Sequence, residues 1–175
     1  MKLSEFRKLR REAAEFKQRF SCSIHPSVTH TGRPYFPASI RTKDGKSIRM
    51  AILMKRTDAI KVFNMENAQS REIPVDAISI VSPSEDRIDY SITNKINRQF
   101  ETSMSNMSFI LKMKDGREIA YWGSSVLPGD IDFLKLPNGF SQDEIRKIHF
   151  IRPPPPKDLP FAIEPNDVDI ALCFY

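Results

Sequence analysis

Residues 40–48, IRTKDGKSI, and residues 111–119, LKMKDGREI, are two versions of one short pattern. In both, a strand-like run leads into Lys-Asp-Gly and a second run follows it. Asp-Gly between two such runs is a strong signal for a β-hairpin, because glycine accepts the positive φ that a tight turn needs. The sequence therefore predicts two β-hairpins, 71 residues apart along the chain.

The similarity extends beyond the two turns. At the same offset, residues 59–63 align with residues 130–134, and with one residue dropped residues 78–83 align with residues 148–153. Ordered blocks at nearly constant spacing favour an internal repeat over a chance match. Each copy is predicted to contain a strand, the turn, a long strand, a connector, a further strand, a polar loop and a closing strand that stops at proline.

A unit of about 45 residues with four or five short strands is too small for a sandwich and fits a bent sheet that closes into a small barrel. The residues that carry this pattern are Asp44, Gly45, Ile60, Ile73 and Ile78 in one copy and Asp115, Gly116, Ile131, Ile145 and Ile148 in the other. In these residues the chain resembles the SH3-type small barrels, among them Sm-like, KOW and Tudor modules. The resemblance covers about two-thirds of the chain and implies a fold that commonly binds RNA, DNA or peptides, although fold alone does not fix function.

The predicted fold class is mostly β with an N-terminal α-helix, in the form of two tandem SH3-like small barrels. The alternative is a single α+β domain in which both hairpin pairs share a sheet. In the first copy, residues 59–65 and 72–81 are predicted to form a second hairpin. The predicted organisation is a basic amphipathic helix in 1–22, a first barrel repeat in 38–85, a linker with a short helix in 86–106, a second barrel repeat in 107–153, and a proline-rich spacer with a C-terminal strand in 154–175.

The N-terminal helix has two different faces. Apolar residues recur at steps of three and four from Leu3 to Phe20, which is typical of an amphipathic helix, and the cations fall mostly off this stripe. Packing on the chain's own core is the favoured use of the stripe. An anionic membrane surface and a partner's groove are the alternatives.

The formal net charge of +5 is unevenly distributed. Residues 1–64 carry 15 lysines and arginines against 5 acidic residues, whereas residues 65–156 carry 11 against 13 and residues 157–175 carry 1 against 4. Nucleic acid is the commonest partner of such a basic region, because each neutralised phosphate releases counterions. The predicted nucleic-acid-binding residues are Arg7, Lys8, Arg10, Arg11, Lys17, Arg19, Arg33, Arg41, Lys43, Lys46, Arg49, Lys55, Arg56 and Lys61, with Tyr35 or Phe36 stacking on a base.

A protein-binding adaptor or inhibitor is the second hypothesis. Residues 168–175 alternate in the manner of a strand, which must pair either within the chain or with a partner protein. Tyr121 and Trp122 are adjacent on a predicted strand, so only one of them faces solvent. The predicted protein-binding residues are Trp122, Phe174 and Tyr175.

The sequence gives no indication of catalysis, of a metal site or of a cofactor. The three histidines are dispersed, Cys22 and Cys173 form no CxxC pair, and no nucleophile, metalloprotease or phosphate-loop motif is present. The polar N-terminus and the absence of an 18-residue apolar run argue against a signal peptide and a membrane span. We therefore expect a non-enzymatic, cytoplasmic regulatory protein that binds no small-molecule substrate and has no membrane partner. RNA and DNA are equally compatible with the charge pattern.

Overall fold

The computed structural model describes residues 3–29, 32–63, 71–100, 107–123, 129–165 and 170–175. Strands account for more of the chain than helices, and they lie in two sheets, so the prediction of a mostly β fold with an N-terminal helix is confirmed. The elements in chain order are α1 (Leu3–Phe20), β1 (Ser27–Val28), β2 (Pro34–Thr42), β3 (Ser47–Met54), α2 (Arg56–Ala59), β4 (Ile78–Ser82), α3 (Tyr90–Phe100), β5 (Met107–Met113), β6 (Glu118–Gly123), β7 (Ile145–Phe150) and β8 (Ala171–Phe174).

The first sheet contains five strands in the order β1-β2-β3-β8, with β4 also paired to β2. The second sheet has the order β6-β5-β7. All strand pairs are antiparallel except β3 and β8, which run parallel. Within the described ranges neither sheet closes into a barrel.

The β2–β3 and β5–β6 hairpins are built alike, as their shared sequence predicts. Gly45 and Gly116 occupy the two turns with φ values of +90° and +89°, which L side chains rarely adopt. The first strand of each hairpin also pairs with a closing strand, β4 or β7. A bulge immediately before Thr42 and immediately before Met113 interrupts these two ladders at equivalent positions.

The segment that follows β3 is helical, so the prediction of a strand over residues 59–65 is wrong. α2 continues into a turn in which the Phe63 N–H donates to the Ala59 carbonyl oxygen at 2.9 Å. Ala59 and Phe63 are buried one helical turn apart, while Ile60 is exposed. Short apolar runs fit a strand and a buried helical turn equally well, and tertiary packing decides between them. Residues 64–70, which include the predicted polar loop, lie outside the described residues.

Two alignments between the copies also need correction. The β2–β3 register shifts by one residue between Ala38 and Ile40, whereas the β5–β6 register is regular. β3 therefore contains one residue more than β6 beside its hairpin turn. In the second copy the helical turn runs from Gly129 to Phe133, with the same 2.9 Å hydrogen bond, so the offset there is 70. In the closing strands Ile78 aligns with Ile145 rather than with Ile148. Ile78 pairs with Thr42 and Ile145 pairs with Met113, the residues directly after the two register shifts.

Three apolar clusters fill the space between the elements. One lies between α1 and the first sheet, where Phe16 stacks on Phe36 with ring centroids 4.0 Å apart. The apolar stripe of α1 therefore packs on the chain's own core, as favoured from the sequence. The second cluster lies between the first sheet and Phe133, and the third lies between the second sheet and α3. No helix in the described part of the chain is long and apolar enough to span a membrane.

A buried carboxylate joins the two sheets. Asp132, which lies between β6 and β7, accepts hydrogen bonds from the Ser27 hydroxyl at 2.7 Å and the Tyr35 hydroxyl at 2.6 Å. The Arg87 guanidinium contacts the same carboxylate at 3.3 Å and donates to the His25 carbonyl oxygen at 2.7 Å. A buried charge is tolerated only when it is paired and hydrogen-bonded, and Asp132 has both kinds of partner.

Candidate nucleic-acid interface

The solvent side of α1 presents a row of cations. Arg7, Arg10 and Lys17 are exposed and lie on one face, because positions 7, 10, 14 and 17 recur at steps of three and four. Ala14 fills the remaining position, so the row contains no acidic side chain. At 1.5 Å rise per residue the row extends about 15 Å along the helix. We call these three residues the α1 row.

The other predicted cations of α1 have neighbours within the fold. Arg11 forms an exposed ion pair with Glu15 at 3.8 Å. The Arg19 guanidinium lies 5.7 Å from the ring centroid of Phe20 and 5.3 Å from that of Tyr175. Lys8 is half-buried. These residues add positive charge near the α1 row but are less available to a phosphate group.

The turn between β2 and β3 carries a second group of cations. Arg41, Lys43 and Lys46 are exposed and form no ion pair among the residues that the structure describes, with Asp44 as the carboxylate near Lys46 in the same turn. The carboxylate of Asp44 accepts a hydrogen bond from the Thr42 hydroxyl, which lowers the pKa of Asp44. We call Arg41, Lys43 and Lys46 the first-turn cations.

The equivalent turn of the second hairpin is partly neutralised within the chain, since Lys114 is exposed and forms no ion pair among the described residues but its two neighbouring cations do. Arg117 forms ion pairs with Asp115 and Glu144 and lies over the Phe140 ring at 4.1 Å. Lys112 contacts Glu118 at 2.7 Å. The two turns share their backbone geometry, but in the described part of the chain the first leaves three cations without an ion pair and the second leaves one, Lys114.

Besides Arg11, four of the predicted nucleic-acid-binding residues hold ion pairs with acidic residues of the fold. A phosphate group would have to compete with these carboxylates, so we assign the four residues a structural role. Lys61, by contrast, is exposed beyond α2. The pairs are Arg33 with Asp58 at 2.7 Å, Arg49 with Asp86 at 2.8 Å, Lys55 with Glu12 and Glu15 at 2.6 Å each, and Arg56 with Glu72 at 2.9 Å.

Tyr35 and Phe36 do not have a ring face available for a base. Tyr35 is 3% exposed, and its hydroxyl donates to Asp132. Burial, together with the nearby Asp132 charge, raises the pKa of Tyr35 well above its usual range. Phe36 is buried beneath α1. The prediction that either ring stacks on a base is wrong for this structure, because both rings belong to the core.

The predicted protein-binding residues are separated by the fold. Trp122 is 50% exposed while its neighbour Tyr121 is buried, so only one of the pair faces solvent, as predicted. Phe174 is buried in the second cluster, and Tyr175 packs against Phe16 and Phe20. β8 pairs with β3 inside the chain, so the terminal strand is not offered to a partner and Phe174 is corrected to a core residue.

The structure brings three predicted residues together at an open cleft of about 550 Å³ that includes Arg19, Lys55 and Tyr175. The Lys55 ammonium in this cleft is already held by two carboxylates. No group of three or more histidine, cysteine, aspartate or glutamate side chains suited to a metal ion occurs among the described residues. His30 lies outside them.

Two exposed residues near Trp122 were not predicted from the sequence. Phe161 and Ile163 are 39% and 58% exposed on a short extended segment that pairs with β6 at Ala120 and with Lys135. The only signal for them is the alternation of the large residues Phe161 and Ile163 around Ala162, which is too short to predict a strand.

Comparison with known proteins identifies no relative. No protein-family model matches the chain, and no curated protein or solved structure is detectably similar to it. The geometry and charge of its surfaces therefore carry the functional conclusion.

Proposed function

We propose that this chain is a non-enzymatic regulatory protein that binds RNA or DNA through its N-terminal third. The α1 row and the first-turn cations are the contact residues. The observation that carries the proposal is the exposure of five cations, Arg7, Lys17, Arg41, Lys43 and Lys46, that form no ion pair in the described part of the chain. Acidic residues elsewhere in the same third are used in ion pairs with other cations.

Phosphate contacts give this binding a characteristic dependence on salt. Each phosphate neutralised by lysine or arginine releases condensed counterions, so the logarithm of the affinity falls linearly with the logarithm of the salt concentration. If these five cations each contact one phosphate, the slope is about −3.5 for a single strand and about −4.5 for a duplex.

We also propose that strands β2, β3 and β4 and strands β5, β6 and β7 belong to two copies of one SH3-like unit. The matching turns, the equivalent bulges and the equivalent helical turns after the hairpins support this proposal. The different ion pairing of the two turns then represents divergence between the copies, with the first copy keeping its cations for a ligand. A cytoplasmic location stays a prediction from the sequence.

The two turns provide a matched experiment. Lys43→Glu with Lys46→Glu and the equivalent changes Lys114→Glu with Arg117→Glu alter the net charge equally on turns of the same geometry. Binding of a fluorescently labelled oligonucleotide is measured by anisotropy for both variants. We expect the first pair of changes to weaken binding at least tenfold more than the second. Equal effects would show that net charge alone matters and would overturn the assignment to the first turn.

A protein-binding adaptor is the alternative function. Phe174 is buried and the Tyr175 ring packs against α1, so Trp122 is the predicted residue that keeps an available side chain. Its exposure favours this alternative, because large exposed apolar residues often mark contact surfaces. A partner protein docked on Trp122 would bind with a weak dependence on salt, unlike a nucleic acid.

A further inference from the structure

The second sheet has an outer face that is turned away from its core. Leu111 and Tyr121 point into the apolar cluster beneath α3. Successive residues of a strand face opposite sides, so their neighbours Ile110 and Trp122 point to the other side of the sheet. We call this side the outer face. The segment 160–163 extends the sheet beyond β6, since the Ala162 N–H donates to the Ala120 carbonyl oxygen at 2.8 Å.

One end of the outer face is aromatic and apolar. Ala162 belongs to the core cluster, so its neighbours Phe161 and Ile163 point outward together with Trp122. Phe161 pairs with Ala120, which places its side chain diagonally across from that of Trp122. Diagonal neighbours of this kind lie about 7–8 Å apart, and both rings are accessible to solvent.

The other end of the outer face is cationic. β7 places His149 opposite Ile110 and Lys147 opposite Lys112, and all four side chains lie on the outer side. Like charges directly opposite each other on neighbouring strands are destabilising. Glu118 compensates Lys112 at 2.7 Å, whereas Lys147 has no carboxylate partner in the described ranges. The positive charge of Lys147 is therefore complementary to an anionic ligand.

We propose that the outer face binds single-stranded nucleic acid. Unpaired bases stack on Trp122 and Phe161, and a phosphate contacts Lys147. This inference rests on the proposed function and deepens it, because it names an unpaired strand as the substrate. Bases within a duplex are stacked on one another and cannot present their faces to protein rings, whereas the bases of a single strand can be splayed out. RNA and DNA share this chemistry.

Trp122 allows a direct test because it is the only tryptophan of the chain. Its fluorescence is followed while oligothymidylate, oligouridylate or a duplex of about 12 nucleotides is added, and anisotropy of a labelled oligonucleotide reports total binding. We expect quenching by one or both single strands and none by the duplex. Trp122→Ala is expected to weaken single-strand binding about 5- to 100-fold, and Trp122→Phe, which keeps a ring, much less. Ile80→Ala, on the exposed side of β4, is the control and is expected to have no effect.

The outcomes separate this inference from the proposed function. Anisotropy-detected binding without quenching, and without an effect of Trp122→Ala, overturns the role of the outer face and leaves binding through the α1 row intact. No binding of any oligonucleotide at low salt overturns both. An outer face that serves a partner protein instead also gives no quenching and overturns the inference. Far-UV circular dichroism of each variant establishes that the fold is retained.

Discussion

Replacement of Asp132 by asparagine is expected to destabilise the protein by about 3–5 kcal/mol, the usual cost of removing one partner of a buried ion pair. The Asp132 carboxylate is fully buried, and the Arg87 side chain beside it is 10% exposed. Asparagine preserves the size of the side chain but not its charge, so the guanidinium stays buried without its ion-pair partner. The amide group also turns a donor toward a site lined by the hydroxyls of Ser27 and Tyr35.

The partners of Asp132 give a graded series. Tyr35→Phe removes one hydrogen bond to a charged group, whereas Ser27→Ala removes two, because the Ser27 hydroxyl donates to Asp132 and also accepts from the Arg87 guanidinium at 3.0 Å. Each such bond contributes about 1.5–3 kcal/mol. The Arg87 pair remains in both variants, so we expect Tyr35→Phe to lose less stability than Ser27→Ala or Asp132→Asn. The control is Asp76→Asn, which changes an exposed carboxylate and is expected to stay within about 0.5 kcal/mol of the unmodified protein.

Urea unfolding at neutral pH, followed by far-UV circular dichroism, measures the series. The urea midpoint is expected to fall further for Asp132→Asn and Ser27→Ala than for Tyr35→Phe, with an unchanged dependence of the unfolding free energy on denaturant. A loss below about 1 kcal/mol for Asp132→Asn would refute the conclusion that this buried ion pair holds the two sheets together.

Three further predictions concern the core. Burial raises the pKa of the Cys173 thiol to about 12. A small disulfide reagent is therefore expected to leave Cys173 unmodified in the native protein and to label it after denaturation. Peptide mass spectrometry measures the labelling, and rapid labelling of the native protein would contradict the burial of Cys173. Burial also raises the pKa values of Tyr35 and Tyr121. Unfolded tyrosines ionise near pH 10, so the free energy of unfolding is unaffected by the ionisation of these two groups below about pH 10 and declines above it. Urea midpoints measured at increasing pH are expected to show this decline, and the decline is expected to be shallower for Tyr35→Phe. Phe16→Ala is expected to cost about 3–5 kcal/mol in the same unfolding assay, because Phe16 is fully buried against Phe36; a cost below about 1 kcal/mol would mean that α1 is not docked.

The features that depend on neighbouring residues could be predicted from the sequence. The two hairpins follow from Asp-Gly turns, and α1 follows from its apolar period, because both signals are local. The short helix expected between the copies is α3. The exposure of Trp122 next to a buried Tyr121 follows from the alternation of side chains along a strand.

The features that depend on distant residues could not be predicted. Tyr35 is buried because its hydroxyl meets Asp132, which is 97 residues away in the chain. Arg33 is neutralised by Asp58 across 25 residues, so the composition of the N-terminal third showed how much positive charge it carries but not which cations stay unpaired. Phe161 lies on a segment held by isolated bridges, which leave no periodic pattern to recognise.

The salt dependence of oligonucleotide binding tests the central claim most directly. The affinity of the unmodified chain for a single strand is measured by anisotropy over a series of salt concentrations and compared with that of Arg7→Glu/Arg10→Glu/Lys17→Glu. We expect a logarithmic slope of about −3.5 for the unmodified chain and about −2 for the variant, since the phosphate contacts of Arg7 and Lys17 are lost. Binding that is absent at low salt, or that has the same slope in both proteins, would contradict the assignment of the phosphate contacts to the α1 row.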